Sequence, residues 1–187
     1  MKPRLLISLF ISAAALTVAL PAYAQVPDKG TFHEPSAQVE SRPAIADFEG
    51  TKIDLAKGWG EAKACIVARE AGVLECFRSA QAMELRSNTL SATDSIAASC
   101  SSPLRLYEHG NYGGRQLRFY DRGYWQNLAN YGFDNQLSSY ITGACYAHLA
   151  EHTNGAGYWY PGYTGPNHGE PYLSAGWNDR VSSIKID

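Results

Sequence analysis

Leu106-Tyr107-Glu108-His109-Gly110-Asn111-Tyr112-Gly113-Gly114, closed downstream by Asp134-Asn135-Gln136-Leu137-Ser138-Ser139, is a passage that the chain states twice. The restatement begins Leu149-Ala150-Glu151-His152-Thr153-Asn154-Gly155-Ala156-Gly157 and closes with Asn178-Asp179-Arg180-Val181-Ser182-Ser183. The opening landmark recurs after 43 positions and the closing one after 44. Two separate landmarks at almost one offset mark a duplicated supersecondary unit. Two copies are too few for a solenoid, so a closed pair is expected.

Residues around these landmarks define the fold class. After Cys100 the chain turns rich in Tyr, Trp, Phe and Gly, with short alternating runs such as Leu104-Arg105-Leu106-Tyr107 and Gln116-Leu117-Arg118-Phe119. Gly and Asn punctuate the runs, as in an all-β domain with tight turns. Tyr112-Gly113-Gly114 reads as a folded hairpin. Four short strands in a Greek key are expected in each copy, the two copies packing as a sandwich.

Upstream, residues 1–24 read as a signal peptide. Lys2 and Arg4 form a basic end, Leu5 to Leu20 carry no charge, and Ala22-Tyr23-Ala24 has the small-x-small cleavage pattern. The apolar run is short for a membrane span and no second candidate follows. A secreted, extracellular protein without a membrane span in the mature chain is expected. Without Lys2 and Arg4 there remain 14 basic against 18 acidic residues, about −4 in net charge. That balance argues against a nucleic-acid partner, which selects a basic face.

Residues 25–46 contain Pro, Ser and charges without a sustained period, a flexible leader. Residues 47–99 read as a small hairpin-and-helix segment with a linker, and residues 100–187 as the main domain. Within the small segment, Ala64-Cys65-Ile66-Val67-Ala68 and Val73-Leu74-Glu75-Cys76-Phe77 are strand-like runs about a turn in which Gly72 takes a positive φ. A turn centred on Glu70-Ala71 sets Cys65 opposite Cys76. Ser79 is placed as the N-cap of a helix through Arg86, with Asn88 to Ser99 as the linker. The four cysteines of an exported chain read as two bridges, for which three pairings exist. The segment reads as a pro-segment, a docking module or a prop for the main domain.

The Asp/Asn-rich corners carry the chemistry. Calcium is a hard cation that takes six to eight oxygens from carboxylates, amides, hydroxyls, carbonyls and water. Asp134, Asn135 and Ser138 offer such oxygens, as do Asn178, Asp179 and Ser182. One corner can be an ordinary turn in which Asn, Asp and Ser bond their own backbone. Two at the same place in a duplicated unit point to an oxygen-rich cation site shared between copies.

With these residues in view, residues 100–187 resemble the βγ-crystallin family, whose units carry an aromatic-x4-aromatic-x-Gly hairpin followed by Asp/Asn-Asp/Asn-x-x-Ser/Thr-Ser. Tyr107, Tyr112 and Gly114 match the hairpin, and both corners match the calcium motif. The resemblance implies two Greek-key motifs holding two calcium ions. One site would take the Glu108 and Gln136 carbonyls, the Ser138 hydroxyl and the Asp179 side chain. The other would take the Glu151 and Arg180 carbonyls, the Ser182 hydroxyl and the Asn135 side chain. A carboxylate attracts the ion more strongly than an amide, so the Asp179 site is expected to bind tighter. The second copy departs from the pattern, with Ala150 and Gly155 where the hairpin aromatics belong. Cys100 and Cys145 each precede the first strand of their copy, which makes them an expected pair.

The chain is also similar to small secreted bacterial metallopeptidase inhibitors of this fold, in Leu106 to Ser139 and more weakly in Ile53 to Phe77. That likeness implies an extracellular protease as a partner and an exposed rigid loop, for which Tyr158 to Pro171 is the candidate. Catalysis is not expected. Glu108-His109 and Glu151-His152 are hairpin positions of the repeat, His33, His148 and His168 form no ligand constellation, and no zinc helix, nucleophile elbow or phosphate loop is present. Tyr158, Trp159, Tyr160, Tyr163 and Tyr172 offer faces for carbohydrate stacking, although aromatics on strands more often build the core.

Overall fold

A computed structural model describes residues 31–39, 42–91 and 101–187, in which thirteen strands and one α-helix are joined by tight turns and three short 3-10 helices. The expected signal peptide 1–24, and Cys100 with its expected pairing to Cys145, lie outside the described residues. Among the described residues no helix is long and apolar enough to cross a membrane.

Ahead of the duplicated region come β1 (Phe32–His33), β2 (Ile45–Phe48), β3 (Thr51–Asp54), β4 (Ala64–Ala68), β5 (Val73–Phe77) and α1 (Ala80–Ser91). The first copy contains β6 (Leu104–His109), β7 (Gly113–Phe119), β8 (Gln126–Asn127) and β9 (Ser139–Ile141). The second contains β10 (Ala147–Ala150), β11 (Gly157–Tyr158), β12 (Gly169–Glu170) and β13 (Ser183–Ile186).

Each copy is a Greek key, with β9 beside β6 and β13 beside β10. The third strand of each copy leaves for the other sheet: β12 pairs with β9, and β8 with β13. This exchange goes beyond two independently closed copies packed together. Neither sheet is complete without a strand from the other half, so the two motifs form one cooperative sandwich. Leu106, Leu117, Phe119 and Tyr140 from one sheet meet Leu149 and Ile184 from the other in a continuous dry core.

The segment before the duplication joins this sandwich. β4 lies parallel to β7, and β5, β2 and β3 extend the sheet to eight strands in the order β12-β9-β6-β7-β4-β5-β2-β3. β4 is buried along its whole length. Its Cys65 and Val67 face the main core, while Ala64, Ile66 and Ala68 face a second apolar cluster with Met83 and Leu90 of α1 and Tyr120. A strand covered on both faces reads as an unbroken apolar run, which is how Ala-Cys-Ile-Val-Ala appears in the sequence. Ser79 caps α1 by accepting a hydrogen bond from the Ala82 amide at 3.1 Å. The helix continues past Arg86 to Ser91, because Ser87 and Leu90 reach the same sheet face and the Ser87 and Tyr120 hydroxyls meet at 2.5 Å.

Cys65 and Cys76 stand directly opposite across the β4–β5 hairpin and are bridged. Gly72 has the expected positive φ, +74°. The leader contributes β1, antiparallel to β11, and an isolated bridge from Val39 to Trp125.

Candidate metal centre

Each copy folds its opening hairpin back through residues in left-handed conformations. Asn111, Tyr112 and Gly114 have φ of 55°, 60° and 74°; Asn154, Gly155 and Gly157 repeat them at 60°, 75° and 81°. The second serine of each closing motif pins this fold. Ser139 Oγ donates to the His109 carbonyl at 2.7 Å and accepts from the Tyr112 amide at 3.1 Å. Ser183 Oγ donates to the His152 carbonyl at 2.6 Å and accepts from the Gly155 amide at 3.0 Å. The sequence reading assigned no role to these two hydroxyls, although the Ser-Ser pairs in both copies were the signal that would have found them.

The first serine faces across the pseudo-twofold. Ser138 Oγ donates to the Glu108 carbonyl at 2.8 Å and lies 3.5 Å from Asp179 Oδ1 of the other copy. Ser182 Oγ lies 3.4 Å from Asn135 Oδ1. Main-chain bonds hold the corners together: the Asn135 amide donates to Val181 O and the Asp179 amide to Leu137 O, both at 3.1 Å. Asn135 and Asp179 both take positive φ, 54° and 55°, which aims each side chain at the opposite serine.

In the first corner, Glu108, Gln136, Ser138 and Asp179 line one cleft of about 630 Å³, bordered by Gly110 and the exposed ring of Tyr172. In the second, Ser182 meets Asn135, while Glu151 and Arg180 are joined through their side chains. Ser182 donates to Asn135 and not to the Glu151 carbonyl, so the second corner is gathered less closely than the first. Asp134 turns away from both corners into a crevice beside Leu55 and Gly58, with its Oδ1 buried and without a hydrogen bond. Among the described residues no group of three His, Cys, Asp or Glu side chains could hold a metal ion. The corners offer hydroxyls, an amide, a carboxylate and main-chain carbonyls, an all-oxygen set whose chemistry fits a hard cation.

Behind each corner stands an arginine that clamps the hairpin glutamate, drawn from a different repeat position in each copy. Arg115 on β7 grips Glu108 through both carboxylate oxygens, Nε to Oε2 at 3.1 Å and Nη2 to Oε1 at 3.0 Å, and also bonds Gln136 Oε1. The Arg115 side chain and main-chain amide hold the Glu108 carboxyl below its ordinary range, against burial that pushes it up. Arg180 reaches only Oε1 of Glu151, with Nε at 2.9 Å and Nη2 beside it, and its Nη1 donates to the Gly176 carbonyl at 3.2 Å. Burial pushes the Glu151 carboxyl up, but Arg180 and the Tyr158 amide bring it below its ordinary value. Each guanidinium lies over an aromatic at the equivalent position, Arg115 over Phe133 and Arg180 over Trp177, both at 5.7 Å. Arg115 has a second platform in Trp59, at 4.9 Å. The sequence reading missed both clamps; the partner of Arg115 in the repeat is Tyr158, so the duplication hides it.

No protein-family model matches the chain, and no curated protein does. Solved structures similar to it include a βγ-crystallin from Ciona intestinalis, 22% identical, covering 46% of this chain and 99% of that one with a TM-score of 0.39. A βγ-crystallin domain from Clostridium beijerinckii is 22% identical over 45% of this chain and 95% of that one, TM-score 0.35. A double mutant of clostrillin, crystallised in complex with nickel, is 22% identical over 45% and 95%, TM-score 0.37. The two-Greek-key fold itself is fixed by the strand order given above.

Proposed function

We propose that the chain is an exported, non-catalytic calcium-binding module of βγ-crystallin type, with one ion at each serine corner. The observation that carries this reading is reciprocal: Ser138 faces Asp179, and Ser182 faces Asn135, each across the boundary between the copies. Glu108 O, Gln136 O, Ser138 Oγ and the Asp179 carboxylate would hold one ion. Glu151 O, Arg180 O, Ser182 Oγ and the Asn135 amide would hold the other, with water completing both shells. An ion bound only by the folded chain stabilises it by RT ln(1 + [Ca]/Kd), about 2.7 kcal/mol at a hundredfold excess over Kd. Because each site draws on both copies, that energy falls on the junction between them.

Titration calorimetry tests the reading. Two calcium ions per chain are expected, with the Asp179-containing site the tighter. Ser138→Arg and Ser182→Arg should each remove one binding event, and unchanged heats in both variants would sink the assignment. The inhibitor reading is weaker. Its candidate loop turns Tyr160 inward against Tyr140 and Trp177 and lays Trp159 against His33, leaving Tyr163 outermost at 61% exposure. A thermolysin-type protease should therefore keep its rate when the purified protein is added in calcium-buffered solution.

A further inference from the structure

Residues 55–59, ahead of the duplication, pack behind the first serine corner, whereas the leader strand β1 meets the second copy at β11. Trp59, on the loop between β3 and β4, donates its indole N–H to the Tyr131 carbonyl at 2.7 Å and is 4% exposed. Its ring carries the Arg115 guanidinium. Arg115 in turn holds Glu108 and Gln136, whose carbonyls belong to the first proposed site, and bonds the Gly132 carbonyl at 3.3 Å. Gly132 fits against the Leu55 main chain so closely that a Cβ there would come within 2.3 Å of Leu55 O. One packed path thus runs from residues 55–59 through Arg115 to the Glu108 and Gln136 side chains. At the second corner Arg180 rests on Trp177 of its own copy.

Resting on the calcium reading above, we propose that the segment containing Trp59 sets the affinity of the Ser138–Asp179 site alone, with Trp59 as a positioning residue acting through Arg115. The indole supports the guanidinium, the guanidinium holds the Glu108 and Gln136 side chains, and these restrict the two residues whose carbonyls the proposed site uses. Groups that orient ligands from behind typically change metal affinity by about 10–100-fold when removed. Trp59 carries no charge, so its replacement leaves the formal charge of the cleft unchanged while loosening the support behind Arg115.

The experiment measures calcium affinity by calorimetry on the full mature chain in two backgrounds. In Ser182→Arg, which leaves the Ser138 site, adding Trp59→Phe is expected to weaken binding about tenfold. In Ser138→Arg, which leaves the Ser182 site, the same change is expected to have no effect. No change in either background, or equal weakening in both, overturns the inference; the second result marks general loosening of the fold. If neither the parent protein nor the two backgrounds bind calcium, the calcium reading fails instead. Should Trp59→Phe not fold, reciprocity supplies a second measurement on the unsubstituted indole. Calcium added to Ser182→Arg should slow hydrogen exchange at the Trp59 indole, and calcium added to Ser138→Arg should not. Identical exchange in the two overturns the inference.

Discussion

The two Greek keys share a backbone and differ in how they fill it. Both hairpins need left-handed residues at the same three places, yet the first puts Tyr112 where the second puts Gly155. Tyr112 sets its ring edge-on to Tyr107 at 5.4 Å and covers its own hairpin. Gly155 is instead covered by Trp125, which arrives from the first copy just ahead of β8. Backbone conformation and the serine pins are thus common to both halves, while the aromatic cover is free to come from either. The largest expected effect follows. Gly155→Tyr would place a Cβ about 2.1 Å from the Trp125 ring, so overpacking should cost about 3 kcal/mol or more in urea unfolding. Tyr112→Gly should cost less than about 1 kcal/mol, because relief of left-handed strain offsets the lost ring contact. Comparable losses in the two variants would show that the covers are equivalent after all.

The serine pins are where the copies should agree. Ser139→Ala and Ser183→Ala each remove a donated and an accepted hydrogen bond from a fully buried hydroxyl. Leaving those peptide groups unsatisfied should cost about 2 kcal/mol in each case. Values equal to within about 0.5 kcal/mol would sharpen the twofold comparison; one large and one negligible value would break it.

Much of this symmetry was readable because it is local. The repeat landmarks carry their own turn chemistry, so the Greek keys, the facing serine corners and the Cys65–Cys76 hairpin all follow from short stretches. What escaped is non-local. β1 is two residues long, too short to have a period, and exists only because β11 offers an edge and Trp159 a face for His33 at 3.8 Å. The parallel pairing of β4 with β7 leaves no trace beyond an apolar run, which an isolated hairpin would share. The arginine clamps were hidden because Arg115 and Arg180 reach equivalent glutamates from inequivalent positions.

The corners themselves should differ by one charge. Asp179→Asn is expected to weaken the Ser138 site about tenfold, or about 1.4 kcal/mol, and Asn135→Asp to tighten the Ser182 site by a similar factor. Together the two substitutions should invert the order of the sites in calorimetry. An order that survives the exchange would assign the asymmetry to the surrounding scaffold, as the Trp59 contact implies, rather than to the ligand.

The smallest expected difference lies in the acid limb of stability. Glu108 has a folded pKa below its ordinary 4.5, so its contribution is fully present above about that pH and is lost as pH falls through the lower folded value. The same sign holds for Glu151, where burial opposes the arginine more strongly. Arg115 grips two oxygens and is mostly shielded, whereas Arg180 bonds one oxygen and is 44% exposed, where water screens it. Thermal unfolding followed downward from pH 6 in calcium-free buffer should therefore lose more stability through the first pair than through the second. Arg115→Met should flatten that decline below pH 4.5 more than Arg180→Met does. If Arg180→Met flattens it equally, the two clamps act alike, and the bidentate grip of Arg115 adds nothing to the stability of the first copy.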